Sequence, residues 1–232
     1  MYQVAIGMAH LIQAGVITTL VAQEPGDKWP LVSQALETKE RYDYHLAYLL
    51  PLFPALSCIN HFVTGLSSTH RDQVTKTRVN PFRWLEYALS AGVMLWIICT
   101  LSGIVEIRSL VCFVLLNVAL QYTGYMIEKA KAENRDATDI MRVGFLIHVA
   151  MWVTIFISFY TVIGAADDVP SAVYGIIIGM FVLFTSFGVL SGLWAYDRIT
   201  SVDTLEKGYA LLSLVSKTFL TWMVYFGVLR PT

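Results

Sequence analysis

The stretch Tyr209-Ala-Leu-Leu-Ser-Leu-Val-Ser-Lys-Thr-Phe-Leu-Thr-Trp-Met-Val-Tyr-Phe-Gly-Val-Leu229 is long and apolar enough to cross a bilayer, yet it carries one lysine, Lys217, near its middle. A charged amine at the bilayer centre costs on the order of 2.5–3.5 kcal/mol even on the mildest scale, so an intramembrane lysine marks a functional site by default. No residue near it in sequence neutralises it. The amine must be paired with a charge from another segment, deprotonated, or covalently used. Burial disfavours the charged form of an amine and frees the lone pair that attacks an aldehyde, which is how Schiff-base lysines arise.

Working outward, the whole chain shares the character of this stretch. Of its 232 residues, 56% are apolar and 14% charged, against roughly 25% charged in soluble domains, and the mean hydropathy is +0.60. These values predict a polytopic, all-α membrane protein. A formal net charge of −1 gives no reason to expect nucleic acid, and neither a glycine-rich phosphate loop nor Cys/His spacing suited to a metal is present. Cys58, Cys99 and Cys112 fall in apolar segments and read as reduced, packed thiols. With about 20 apolar residues needed per span, seven segments qualify: 2–22, 44–69, 81–104, 109–128, 141–164, 171–195 and 208–229. The first lacks a basic leader region and a cleavage site, so it reads as a retained helix. The loops are short; the longest, 23–43, leaves room for a small ordered element. With no internal repeat, residues 1–232 read as one seven-helix domain.

Lysine and arginine set the expected orientation. Ten of them (Arg71, Lys76, Arg78, Arg83, Lys129, Lys131, Arg135, Arg142, Arg198 and Lys207) lie on the side shared by the N-terminus and the second, fourth and sixth loops, and five (Lys28, Lys39, Arg41, Arg108 and Arg230) on the other. The positive-inside rule then predicts a cytoplasmic N-terminus and an external C-terminus.

Polar residues within spans must face the bundle interior and find partners there. Glu86 is the one carboxylate clearly inside a span, which makes it the expected partner of Lys217. The alternative is that Glu86 lies at the interface and pairs with Arg83. His10 and Gln13, three apart, share one face of the first span; Ser57 and His61, four apart, share one face of the second. Counted at roughly 1.5 Å per residue from their cytoplasmic ends, His10, His61 and Glu86 lie at similar depth. Together they could form a polar pocket between the cytoplasm and Lys217. Asn117 and Gln121 in the fourth span read as helix–helix hydrogen-bonding groups. Trp152, Phe156, Phe159, Tyr160, Phe181, Phe184, Phe187, Trp222 and Tyr225 offer aromatic surface, some of it suited to a long, flat, apolar ligand.

Seven spans with a lone lysine in the last and one glutamate in the third resemble the microbial rhodopsins. Ser213-Leu-Val-Ser-Lys217 followed by Trp222, Arg83-Trp-Leu-Glu-Tyr with Ser90, His10-Leu-Ile-Gln13 and His61 narrow the resemblance to the heliorhodopsins, along essentially the whole chain. It implies retinal, all-trans in the dark, held by Lys217 as a protonated Schiff base with Glu86 as counterion. Ser90, Ser213 and Ser216 would surround that pair, Trp152 and Trp222 would contact the chromophore, and His10, Gln13, Ser57, His61 and Arg83 would build a proton-holding cavity. Compared with the pumping rhodopsins, Ser213 stands where a second carboxylate is usual and Ile97 where a proton donor is usual. Compared with the heliorhodopsins, Ala88 and Gly92 interrupt a serine-rich run. A sensory photoreceptor without net ion pumping is therefore expected, with a light-driven proton transporter or channel as the alternative. A Schiff-base enzyme would need a second acid/base set beside Lys217, and none is visible. An ordinary ion transporter using the Lys–Glu pair would need broken helices in matching halves. The implied partners are membrane lipid, an unidentified signalling protein and a second copy of the chain. That second copy would be joined through the 23–43 loop and the fourth and fifth spans.

Overall fold

The computed structural model describes residues 2–35, 38–165 and 169–230. Seven of its helical stretches are long and apolar enough to cross a membrane: Tyr2–Gln23, Leu46–Leu66, Pro81–Leu101, Ile107–Ala132, Thr138–Ala165, Ser171–Ala195 and Val202–Leu229. In chain order the elements are α1 (Tyr2–Gln23), a hairpin of β1 (Trp29–Ala35) and β2 (Thr38–Tyr44), a 3₁₀ turn (Leu46–Leu49), α2 (Leu52–Leu66), α3 (Ser68–Thr77), α4 (Pro81–Leu101), α5 (Ile107–Ala132), α6 (Thr138–Ala165), α7 (Ser171–Ala195) and α8 (Val202–Val224). The last continues as a π turn through Leu229. Residues 36–37, within the loop expected at a dimer contact, lie outside the described residues.

The expected second span, 44–69, is divided. Pro51 separates the 3₁₀ turn from α2. At the other end Ser67 adopts an extended backbone and its Oγ accepts a hydrogen bond from the His70 N–H at 3.1 Å, ending α2 and capping α3. The 69–81 connection is thus mostly helix rather than loop. α8 starts six residues ahead of the expected 208. Ser201 caps it, its Oγ accepting from the Thr204 N–H at 3.4 Å, and Lys207 pairs with Asp203 one turn away. Hydropathy alone passes over such a polar first turn. α4 begins with Asn80 as cap and Pro81 in the first turn. It ends at Leu101 because the chain turns at Gly103, where φ is +84° and a Cβ would come within 2.3 Å of Val162.

The bundle has two faces. One carries the N-terminus, α3, and the ends of α4, α5 and α8 joined by Arg83, Glu128 and Glu206. The other carries the hairpin. There β1 pairs antiparallel with β2, from Trp29 opposite Tyr44 to Ala35 opposite Thr38, and the Val32 N–H donates to Val105 O at 2.8 Å, seating the hairpin on the α4–α5 turn. The Tyr44 hydroxyl accepts from Trp96 Nε1 at 3.0 Å, fastening β2 to α4. Beneath the hairpin lies part of the larger apolar core: Ile17, Leu46, Leu50, Phe53, Leu95, Ile97, Ile98, Leu220 and Val224 are all fully buried.

Candidate functional site: a buried lysine at the wall of an apolar cavity

Lys217 faces the bundle interior from α8, 2% exposed, and Glu86 faces it from α4 at 6%. Lys217 Nζ lies 3.2 Å from Glu86 Oε1 and donates to Ser213 Oγ, one turn back, at 2.8 Å. The same Glu86 oxygen accepts from Ser57 Oγ at 2.6 Å. The Tyr87 ring presents its face to the ammonium at 5.1 Å. A buried ion pair depends on further hydrogen bonds to its charged atoms, and the two serines supply one to Glu86 Oε1 and one from Nζ. The pairing expected from sequence is present, and Glu86 does not pair with Arg83.

The polar pocket expected beside this pair also assembles. His10 and His61 stack with ring centroids 5.4 Å apart and planes 16° from parallel. His61 Nδ1 bonds Gln3 Oε1, so Gln3 belongs to this group although its place near the start of α1 gave no sign of it. Gln13 Nε2 donates to the Lys217 carbonyl at 3.3 Å, and Gln13 Oε1 accepts from Thr218 Oγ1 at 3.2 Å, tying α1 to α8 at the lysine itself. Both nitrogens of His10, His61 Nε2, Glu86 Oε2 and Ser90 Oγ are buried without a protein partner. Ser216 Oγ donates to Ser213 O at 3.2 Å.

On the other side of Lys217 a cavity of about 290 Å³ extends between α4, α5, α6, α7 and α8. Its wall is mainly apolar and aromatic, including Trp84, Met94, Phe184 and Phe187, with Ser90, Ser216 and Lys217 at one side. Trp84 is held by contact with Gly124, where a Cβ would come within 2.2 Å of the indole. A single amine in such a wall suits a long apolar aldehyde, and the unpartnered Ser90 hydroxyl adds a hydrogen-bonding group beside it. The residues present therefore fit retinal.

Two expectations need correction. Trp152 is fully buried but does not line the cavity: it lies behind Phe184, with ring centroids 5.9 Å apart. Trp222 is also absent from the wall and stacks on Phe226, one turn on, at 5.6 Å. Arg83 takes its expected place in the polar group, apart from the lysine pair. It bonds Glu128 of α5 and Glu206 of α8 and lies 4.3 Å from the Tyr209 ring centre. It still borders a small polar cavity that Gln3 and His61 share. Glu128, 2% exposed, is a second intramembrane carboxylate that the sequence reading placed at a span end. Sequence reasoning also missed His148, which lines the cavity from α6; one histidine in an apolar run carries no spacing signal. Asn117 donates to Ala88 O at 3.0 Å and accepts from Gln121 at 3.0 Å, so its amide is used within the chain and offers nothing to a dimer contact.

The fold is shared with solved microbial rhodopsins. The transmembrane domain of Salpingoeca rosetta rhodopsin phosphodiesterase superposes with a TM-score of 0.72 at 12% identity, covering 99% of this chain and 84% of that one. A light-driven proton pump from Leptosphaeria maculans gives 0.72 at 10% identity, covering 97% and 93%. No curated protein matches the sequence. The heliorhodopsin family model matches residues 1–229, and the chain belongs to the heliorhodopsin family.

Proposed function

We propose that this protein is a light receptor of the cell membrane that binds retinal on Lys217, works without net ion pumping, and passes its signal to a partner protein. Family membership supports a retinal-binding photoreceptor. The observation that carries the reading is the Lys217–Glu86 pair, 3.2 Å apart, at the wall of an apolar cavity of about 290 Å³. Lys217 would hold retinal, all-trans in the dark, as a protonated Schiff base, and the group would supply a conjugated chain that absorbs visible light and isomerises.

The chain's own groups then have distinct tasks. Glu86 Oε1 balances the charge on Nζ and is the first acceptor for its proton. Ser57 holds that oxygen in place at 2.6 Å, and Ser213 accepts from Nζ at 2.8 Å. The stacked imidazoles of His10 and His61, whose buried nitrogens include three without a protein partner, take the proton onward. Ile97, Ile98 and Leu220, all fully buried, exclude water on the hairpin side. The proton leaves and returns by one face. The distribution of lysine and arginine supports a cytoplasmic location for that face. A homodimer through the hairpin and the lipid-facing sides of α5 and α6 completes the proposal, and a monomer by mass measurement in nanodiscs would remove it.

The test is to express the chain with all-trans retinal and record a visible spectrum. A visible band is expected from the parent and none from folded Lys217→Ala. Colour retained in that variant would overturn the reading.

A further inference from the structure

α6 packs against α5 and α7, and α8 against α1, α2 and α7, so the cavity between them is bounded by Lys217 on one side and by His148 on another. His148 is 8% exposed, and its Nε2 lies 3.0 Å from Thr185 Oγ1. A threonine hydroxyl donates to a neutral imidazole nitrogen and accepts from a protonated one. The bond therefore survives in both charge states. The ring stacks on Phe181 at 6.2 Å with planes 21° apart and lies 6.2 Å from Trp152, aromatic surroundings that tolerate a cation. The titratable or charged groups facing the cavity from other elements are Tyr87 on α4 and Lys217 on α8, with Glu86 beside the lysine; α5 contributes Gln121 and Thr123 and α7 contributes Thr185 and Ser191, all neutral. His148 is thus the one cavity-lining imidazole among the described residues.

We propose that His148 is a second colour-determining residue, a titratable group across the cavity from Lys217 whose charge shifts the absorption independently of Glu86. The proposal rests on the retinal-binding reading above. Absorption by a positively charged conjugated imine moves positive charge away from its nitrogen. A cation on His148 opposes that movement across a cavity of low dielectric. Protonating His148 therefore shifts the band to shorter wavelength, whereas neutralising Glu86 shifts it to longer wavelength. Two titrations of opposite sign act on one chromophore from two walls.

The experiment has two readouts. In the retinal-free protein, labelled histidine resonances, assigned by their loss in His148→Gln, report the imidazole's protonation directly. In the loaded protein, the visible band is followed over the same pH range in the parent, His148→Gln and Thr185→Val. The expected result is an imidazole that titrates, a blue shift in the parent as pH falls, loss of that shift in His148→Gln, and a displaced midpoint in Thr185→Val. A blue shift unchanged in both variants, or a titrating imidazole with no colour change, would overturn the proposal and leave retinal binding intact. An imidazole whose resonance does not move with pH also overturns it. Failure of the parent to form any pigment would overturn both readings.

Discussion

The two halves of this bundle, one on each side of Lys217, are built from different materials. Toward the N-terminal face lie Gln3, His10, Ser57, His61, Arg83, Glu86, Glu128 and Glu206, drawn from α1, α2, α4, α5 and α8. Toward the hairpin face, Ile17, Leu50, Phe53, Leu95, Ile97, Ile98, Leu220 and Val224 close the interior, with no carboxylate or imidazole in that core among the described residues. Under the proposed function, a proton released at Lys217 Nζ would meet carboxylate and imidazole in one direction and a mainly apolar core in the other. Transport across the bilayer needs ionisable groups or water on both sides. Storage and return need them on one side only.

Both halves should be sensitive to truncation, each for its own physical reason. Phe53 is fully buried beneath the hairpin, and Phe→Ala in a core costs about 3–5 kcal/mol. Phe53→Ala should therefore lower the thermal midpoint markedly and admit water on the hairpin side, read as a loss of amide protection there. A comparable loss is expected in the polar half from Arg83→Leu, which leaves Glu128 and Glu206 without their cation; breaking a buried pair costs about 3–5 kcal/mol. Adding Glu128→Gln should recover much of it. If the double variant is no more stable than the single one, the three residues do not act as an electrostatic unit.

Glu86→Gln tests the junction of the halves by colour rather than stability. A cation that loses its counterion keeps its proton with less ground-state stabilisation or gives it up, so the band should move to the red or be replaced by near-ultraviolet absorption near neutral pH. A spectrum matching the parent would make another group the counterion. His10→Phe with His61→Phe should leave the dark colour nearly unchanged and alter the lifetime of the light-generated deprotonated state. Flash spectroscopy that finds the parent's kinetics would remove the imidazoles from the proton's route.

How much of this contrast was legible beforehand depended on the kind of signal. The spans, Lys217 and Glu86 stand out because a charge in an apolar run is costly and rare, and the shared depth of His10, His61 and Glu86 follows from counting residues. The Arg83–Glu128–Glu206 group was hidden because each residue lies near a helix end, where charge reads as interfacial; only the joining of three ends buries it. α3 was hidden because a polar ten-residue helix has no hydropathy signature. The aromatics were misassigned for a geometric reason. Whether Trp152 or Phe184 reaches the cavity depends on small rotations of α6 and α7, and both helices are apolar almost all round.

The smallest predicted effect concerns α3, at the polar face. Burial of His70 against Phe82 pushes its imidazole below the usual histidine range. A group depressed in this way is neutral in the docked helix, so its contribution is fully present above the ordinary histidine pKa of about 6.5 and is lost as pH falls through the lower folded value. The protection factors of α3 amides, with intrinsic exchange rates divided out, should fall on acidification and lose that dependence in His70→Gln.

The most direct measurement of the one-sided account is photocurrent under voltage clamp, with external pH, from cells carrying the retinal-loaded protein. The account predicts at most a transient charge displacement as the proton moves between Nζ and the polar pocket and back, with no steady current at any holding potential. A sustained, protonophore-sensitive signal that disappears in Lys217→Ala would contradict it and make this heliorhodopsin a light-driven proton transporter.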